Sequence, residues 1–150
     1  MRTFTSLDEV RSTVGEELGS SAWLEISQQH IDAFANATGD HHWMHVDPEW
    51  AAAGPFGTTI AHGYLTMSLL SSLAGSIFAI EGPKLTLNYG INSLRLPNPV
   101  RVGARVRANA AFTSVEETPK GVRLIITNTV EIEGENKPAC VAQNVRLLIF

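Results

Sequence analysis

No disulfide can form inside this 150-residue chain, because it holds one cysteine, Cys140. That residue lies in an alternating, strand-like segment, where a small buried hydrophobe is favoured over a reactive thiol. Basic residues are also few. Eleven Lys and Arg stand against fifteen Asp and Glu, the net charge is −4, and no basic run occurs. Nucleic-acid binding rests on clustered cations that neutralise phosphate, so that class of function is set aside. The opening M-R-T-F-T-S-L-D-E-V has no apolar core of signal-peptide length and carries acids early. A cytoplasmic protein is therefore expected.

Charge is missing altogether from Trp50 to Ile80. A membrane-crossing helix needs about 20 predominantly apolar residues. This stretch is broken by Gly57, Gly63, Ser68, Ser71, Ser72, Gly75 and Ser76, and it lacks flanking Lys or Arg. No membrane association is expected. The part from about His62 to Ile80 reads instead as a long helix buried on nearly every side.

Apolar residues make up 44% of the chain and charged ones 17%, which fits one globular domain over 1–150 without linkers or repeats. A short helix is expected around Ser6–Leu18, and Trp23–Ile26 alternates as a short strand. Ser27 is placed to cap a helix with Ile31, Phe34 and Ala35 on one face, which Gly39 ends. Asp47-Pro48 starts a short helix over E-W-A-A-A, and Gly54-Pro55 stops it. Beyond Gly82-Pro83 the period becomes two. Leu85, Leu87, Tyr89 and Ile91 alternate with smaller or polar residues, and Arg101–Val115 is extended. Val122, Leu124, Ile126, Val130 and Ile132 form a further strand, as do Val141, Val145, Leu147 and Ile149. Strands that follow one another through short turns make an antiparallel sheet, and a helix without a polar face must be wrapped by it. The expected architecture is α+β, a single hot dog.

Three of the five histidines fall in the stretch G-D-H-H-W-M-H-V-D-P, Gly39–Pro48, and a fourth follows in I-A-H-G. Asp40 and His45 lie five apart, in a loop that can turn both toward one water molecule. Each group accepts and donates a proton near neutral pH, which suits adding or removing water. Capping by a loop Asp beside a surface His is the plain alternative. His62-Gly63 marks a helix start, where free N–H groups and the dipole favour an oxyanion. Easing tight packing is the plain alternative for that glycine. His41 and His45 are four apart with Asp40, His42, Asp47 and His62 nearby, but no H-E-x-x-H and no cysteine join them, so no metal is expected. No G-x-S-x-G occurs, so a serine triad is disfavoured, although Ser68 and Ser71 are placed to line a pocket. Trp43 and Met44 read as local core, and His41 as a solvated bystander.

Phe34–Thr66, F-A-N-A-T-G-D-H-H-W-M-H-V-D-P-E-W-A-A-A-G-P-F-G-T-T-I-A-H-G-Y-L-T, resembles the signature of the MaoC-like dehydratases. That family includes the (R)-specific enoyl-CoA hydratases, also called hydratase 2. Its pattern is approximately G-D-x-N-P-h-H, then D-x-x-x-A and F-x-x-x-I-A-H-G. The resemblance implies a catalytic pair, Asp40 and His45, holding the water that adds to a trans-2-enoyl thioester. It implies a Gly63 N–H on the thioester carbonyl, a homodimer with a continuous sheet, an acyl-CoA substrate and no cofactor. His42 and Ser71 are placed around that substrate. His42-Trp43 replaces the usual Asn-Pro, as in the branch similar to nodulation protein N. A His there retains a donor for orienting Asp40. Dehydration on acyl carrier protein, thioester hydrolysis and acyl-CoA binding without turnover are the alternatives.

Overall fold

A computed structural model describes residues 1–150. In chain order the elements are β1 (Arg2–Phe4), α1 (Leu7–Ser12), β2 (Glu17–Ser20), β3 (Leu24–Glu25), α2 (Gln28–Thr38), α3 (Trp43–Val46), α4 (Pro48–Ala52), α5 (Gly63–Ser68), α6 (Leu70–Gly75), β4 (Phe78–Ile80), β5 (Leu85–Arg95), β6 (Arg105–Thr118), β7 (Gly121–Ile132) and β8 (Cys140–Ile149). The main sheet runs β2-β6-β7-β8-β5 with every pairing antiparallel, and β3 adds to β6. β1 and β4 form a separate parallel pair.

Alternation decides which face of the sheet is inside. Val106, Ala108, Ala110 and Phe112 of β6 are buried, as are Val122, Leu124, Ile126, Val130 and Ile132 of β7. Against them pack Leu65, Leu70 and Leu73 of the helix, all within one apolar cluster. Phe112 is wedged between the rings of Phe4 and Phe78, with centroids 5.1 and 5.0 Å away. Truncating such a fully enclosed aromatic costs about 3–5 kcal/mol. The architecture is α+β, an antiparallel sheet curled around a helix.

That helix differs from expectation in two respects. α5 and α6 are continuous through their hydrogen bonds, since Leu69 N–H donates to Leu65 O and Leu73 N–H to Leu69 O. However, the run stops at Gly75 rather than Ile80. Ser76 Oγ folds back onto Leu73 O, and the following residues are drawn into pairing with the N-terminal strand, where Arg2 N–H donates to Ile77 O. Nor is the helix enclosed on all sides. Tyr64, Ser68, Ser71, Ser72 and Gly75 are exposed. An uncharged face of serine and glycine is small rather than apolar, which the lack of charge did not separate.

Three further differences follow from the strands. The first helix covers only Leu7–Ser12, because Gly15 takes a left-handed φ of 89° and sends Glu17–Ser20 into β2. Leu85, Leu87, Tyr89 and Ile91 do form a strand, but β5 is the sheet's edge and these side chains are exposed. In β8 the register sets Cys140, Ala142, Asn144, Arg146 and Leu148 opposite the inward residues of β7. Both faces of β8 carry apolar residues, so periodicity alone pointed to Val141, Val145, Leu147 and Ile149 instead. No helix is long and apolar enough to cross a membrane.

Candidate active site

α2 begins at Ser27, whose Oγ accepts from His30 N–H while the His30 ring accepts from Ser27 N–H. It ends where Gly39 takes φ 79° and donates to Ala35 O, a left-handed turn that a side chain would strain. That turn delivers Asp40 to the surface of the next helix. There His42 Nδ1 caps α3 by accepting from Met44 N–H. His45 sits in the last turn of α3 and is buried. Gln28 ties this turn in place, donating to His45 O and accepting from Thr59 Oγ1. Ile60 N–H donates to Met44 O across the same gap.

The hydrogen bonds fix the tautomers. His45 Nδ1 lies 2.7 Å from Ile60 O. A carbonyl only accepts, so Nδ1 carries the proton and Nε2 offers its lone pair. His62 Nε2 lies 2.9 Å from Asp40 O and must likewise donate, which leaves its buried Nδ1 without a partner. Asp40 Oδ2 is 4.0 Å from the same Nε2. The two imidazoles stack with centroids 3.8 Å apart, and Phe34 packs on the other ring at 5.0 Å. Burial holds the His45 pKa below its ordinary value. The backbone bond to Ile60 opposes this, the proximity of His62 adds to it, and the Asp40 charge again opposes it.

Ligand-type atoms of Asp40, His45 and His62 all lie within 4.8 Å of one another. Two hydrogen bonds of about 2.8 Å to a single water would hold two such atoms about 4.6 Å apart. With His62 Nε2 spent on a carbonyl, His45 Nε2 and the Asp40 carboxylate are the groups left to share that water. They open into a cavity of about 360 Å³ that Phe34, Thr38, Gly63, Tyr64 and Leu96 also line.

Gly63 stands at the first position of α5. The first bond of that helix runs from Thr66 N–H to His62 O, so the N–H groups of Gly63, Tyr64 and Leu65 have no helical acceptor. A Cβ built on Gly63 would lie 2.6 Å from Leu96 Cδ1. Leu96 thus fills the space that the missing side chain leaves.

Asp40, His45 and Gly63 therefore meet in one cavity, whereas two other predicted residues fall elsewhere. The His42 ring caps α3 and is outside the cavity lining; its backbone N–H, not its side chain, reaches Asp40 Oδ1 at 3.4 Å. Ser71 lines a second cavity two turns further along the helix. His41 is exposed and bonds Asn36, while Trp43 stacks on Trp50 rather than joining the main core. Gln28, Thr59 and Leu96 escaped the sequence reading, and Phe34 was read only as part of a helix face. Phe34 and Thr59 lie inside the Phe34–Thr66 motif, whereas Leu96 is brought in by the strand ahead of it.

An antiparallel sheet curled around a central helix is the hot-dog arrangement. Residues 9–134 match the family described as MaoC like domain, and the chain belongs to that family of hydratases and dehydratases. The 3-hydroxyacyl-thioester dehydratase Z of Mycobacterium tuberculosis is 51% identical over 146 residues, covering 97% of each chain. Nodulation protein N of Rhizobium leguminosarum bv. viciae is 45% identical, over 97% of this chain and 92% of its own. The (R)-hydratase of A. caviae involved in PHA biosynthesis superposes with a TM-score of 0.73 at 28% identity, over 90% of this chain and 96% of the other.

Proposed function

We propose that the protein catalyses reversible hydration of a trans-2-enoyl-CoA to the (R)-3-hydroxyacyl-CoA. The observation that carries this reading is that Asp40 and His45 bring ligand-type atoms within 4.8 Å of each other in a cavity that Gly63 also lines, with His45 Nδ1 committed to Ile60 O. The thioester carbonyl oxygen accepts from the Gly63 N–H, which steadies the enolate as it forms. Water held between Asp40 and His45 adds its oxygen to C3 and gives a proton to the pair. C2 receives a proton from the same pair, so the elements of one water end on the product and the enzyme returns to its starting state. Asp40 orients the water and shares the proton.

The name of the mycobacterial relative supports the dehydration direction of the same equilibrium and leaves the thioester carrier open. Enoyl groups on acyl carrier protein are the second reading. The two are separated by comparing kcat/KM for one acyl chain on CoA and on carrier protein. Hydrolysis of the thioester would release free thiol, and binding without turnover would leave the enoyl absorbance unchanged.

The working unit is one hot dog per chain over 1–150, paired with a second copy in the cytoplasm. β5 supports the pairing: it is an unpaired sheet edge bearing the exposed Leu85, Leu87, Tyr89 and Ile91, and a free apolar edge is a template for another strand. The test of the function is loss of enoyl absorbance on adding enzyme to crotonyl-CoA, with Asp40→Asn and His45→Ala alongside. Full activity in either variant would remove that residue from the mechanism.

A further inference from the structure

The inner face that β7 and β8 present to the helix is apolar except in one place. Asn128 interrupts the run Leu124, Ile126, Val130 on β7, and Asn144 and Arg146 interrupt Ala142 and Leu148 on β8. All three line a cavity of about 380 Å³ between the sheet and the helix, with Met67, Ser71 and Ala74 on the helix side.

These polar groups are not fully used by the protein. Asn128 is 2% exposed, yet its Oδ1 has no partner. Its Nδ2 donates to Asn144 Oδ1 at 2.9 Å, which leaves the Asn144 Nδ2 edge for another acceptor. Reversing both amides exchanges the roles and still leaves one free acceptor and one free donor. Burial alone lowers the pKa of the Arg146 guanidinium, and no carboxylate pairs with it; it lies opposite Asn88 of β5 and 5.2 Å from the Phe78 ring.

The cavity lies on the route an acyl chain would take. Gly63, Met67, Ser71 and Ala74 share one helix face through steps of four and three. β5 runs antiparallel beside that face, with Leu96 against Gly63 at one end and Tyr89 and Ile91 at the second cavity. Ser71 is eight residues beyond Gly63, or about 12 Å along the axis. An extended chain advances about 1.2 Å per bond, a third of the span per extended residue, so roughly ten bonds cover that distance.

We propose that this second cavity receives the far end of the acyl chain and selects one bearing a hydroxyl there, an assignment resting on the hydratase reading of the first cavity. A hydroxyl donates to the free amide oxygen and accepts from Arg146 or the free amide N–H, so it satisfies both kinds of group. A plain alkyl end leaves a buried acceptor and a desolvated cation unmet. A carboxylate would meet the cation but repel the amide oxygen. A site built around hydrogen bonds discriminates against ligands that lack the partner.

The test compares kcat/KM for three enoyl-CoAs of about twelve carbons, ending in methyl, in hydroxymethyl and in carboxylate, with crotonyl-CoA as a control too short to reach the cavity. The hydroxylated chain is expected to lead the plain chain by about tenfold, the value of one well-made hydrogen bond. Asn128→Leu combined with Asn144→Leu is expected to erase or reverse that ratio while crotonyl-CoA turnover stays unchanged. Equal rates for plain and hydroxylated chains, or preference for the carboxylate, overturn the proposal. Failure to hydrate even crotonyl-CoA would instead defeat the hydratase reading. Calorimetry on the wild-type protein then decides the cavity's preference, and equal binding of saturated plain and ω-hydroxylated acyl-CoA overturns it.

Discussion

The rings of His45 and His62 lie face to face, 3.8 Å between centroids and 25° between planes. Two imidazolium charges at that distance repel strongly, and both side chains are buried. The arrangement therefore favours a neutral His45 imidazole, with its Nδ1 proton committed to Ile60 O.

A base with a lowered pKa stays functional at mildly acidic pH. The acid limb of the kcat/KM profile is expected below about 6.5, the ordinary histidine value. His62→Phe retains a ring against His45 but removes the neighbouring imidazole that helps lower the His45 pKa, so the limb is expected to move upward. Steady-state kinetics across pH checks this. An unmoved limb would show that His62 does not influence the base.

The same depression links folding to pH. Below about 6.5 the unfolded His45 binds a proton that the folded one resists, so the unfolded state holds more protons and stability falls as pH drops. Above that value the contribution is fully present. Urea midpoints measured from about pH 8 down to about pH 5 are expected to decline less steeply in His45→Gln than in the wild type. Parallel slopes would remove His45 as the source.

Gly63→Ala is expected to leave the fold intact, since the added methyl meets only the mobile tip of Leu96. Displacing that tip disturbs the mouth of the cavity and the approach to the N–H groups. A loss of at least about tenfold in kcat/KM is expected, the scale of one misplaced hydrogen bond. Gly63→Ala with Leu96→Ala is expected to recover part of it. No recovery would place the damage on the backbone rather than on Leu96.

Burial pushes the Cys140 thiol up to about 11, and its side chain is fully enclosed. Thiol reagents near neutral pH are expected to label it only when the protein opens. Labelling rates in native and denaturing buffer measure this directly. Fast native labelling would contradict the packing of β8.

Local chemistry was the legible part of the sequence. Ser27 with Gly39, and Asp47 with Pro48, bounded helices where the structure has them, because caps act on neighbouring backbone groups. Spacing and resemblance singled out Asp40, His45 and Gly63, and all three line one cavity. The length of the helix was not readable. Ile77–Ile80 is as apolar as the turns before it, and only pairing of β4 with β1 makes it a strand. Likewise, Asn144 and Arg146 face inward because of a register set by β7, which no pattern within β8 records. Nothing in the sequence showed that the His42 ring would cap α3 through Nδ1 while its backbone N–H reaches Asp40 Oδ1.

The central claim is that Asp40 and His45 together activate water against an enoyl thioester. Its most direct test is the rate of enoyl absorbance loss from crotonyl-CoA by wild-type protein, Asp40→Asn and His45→Ala, with circular dichroism confirming that each folds. Removing a general acid–base group is expected to lower kcat by about 10²–10⁴-fold in each variant. Wild-type turnover with either folded variant retaining full activity would contradict it.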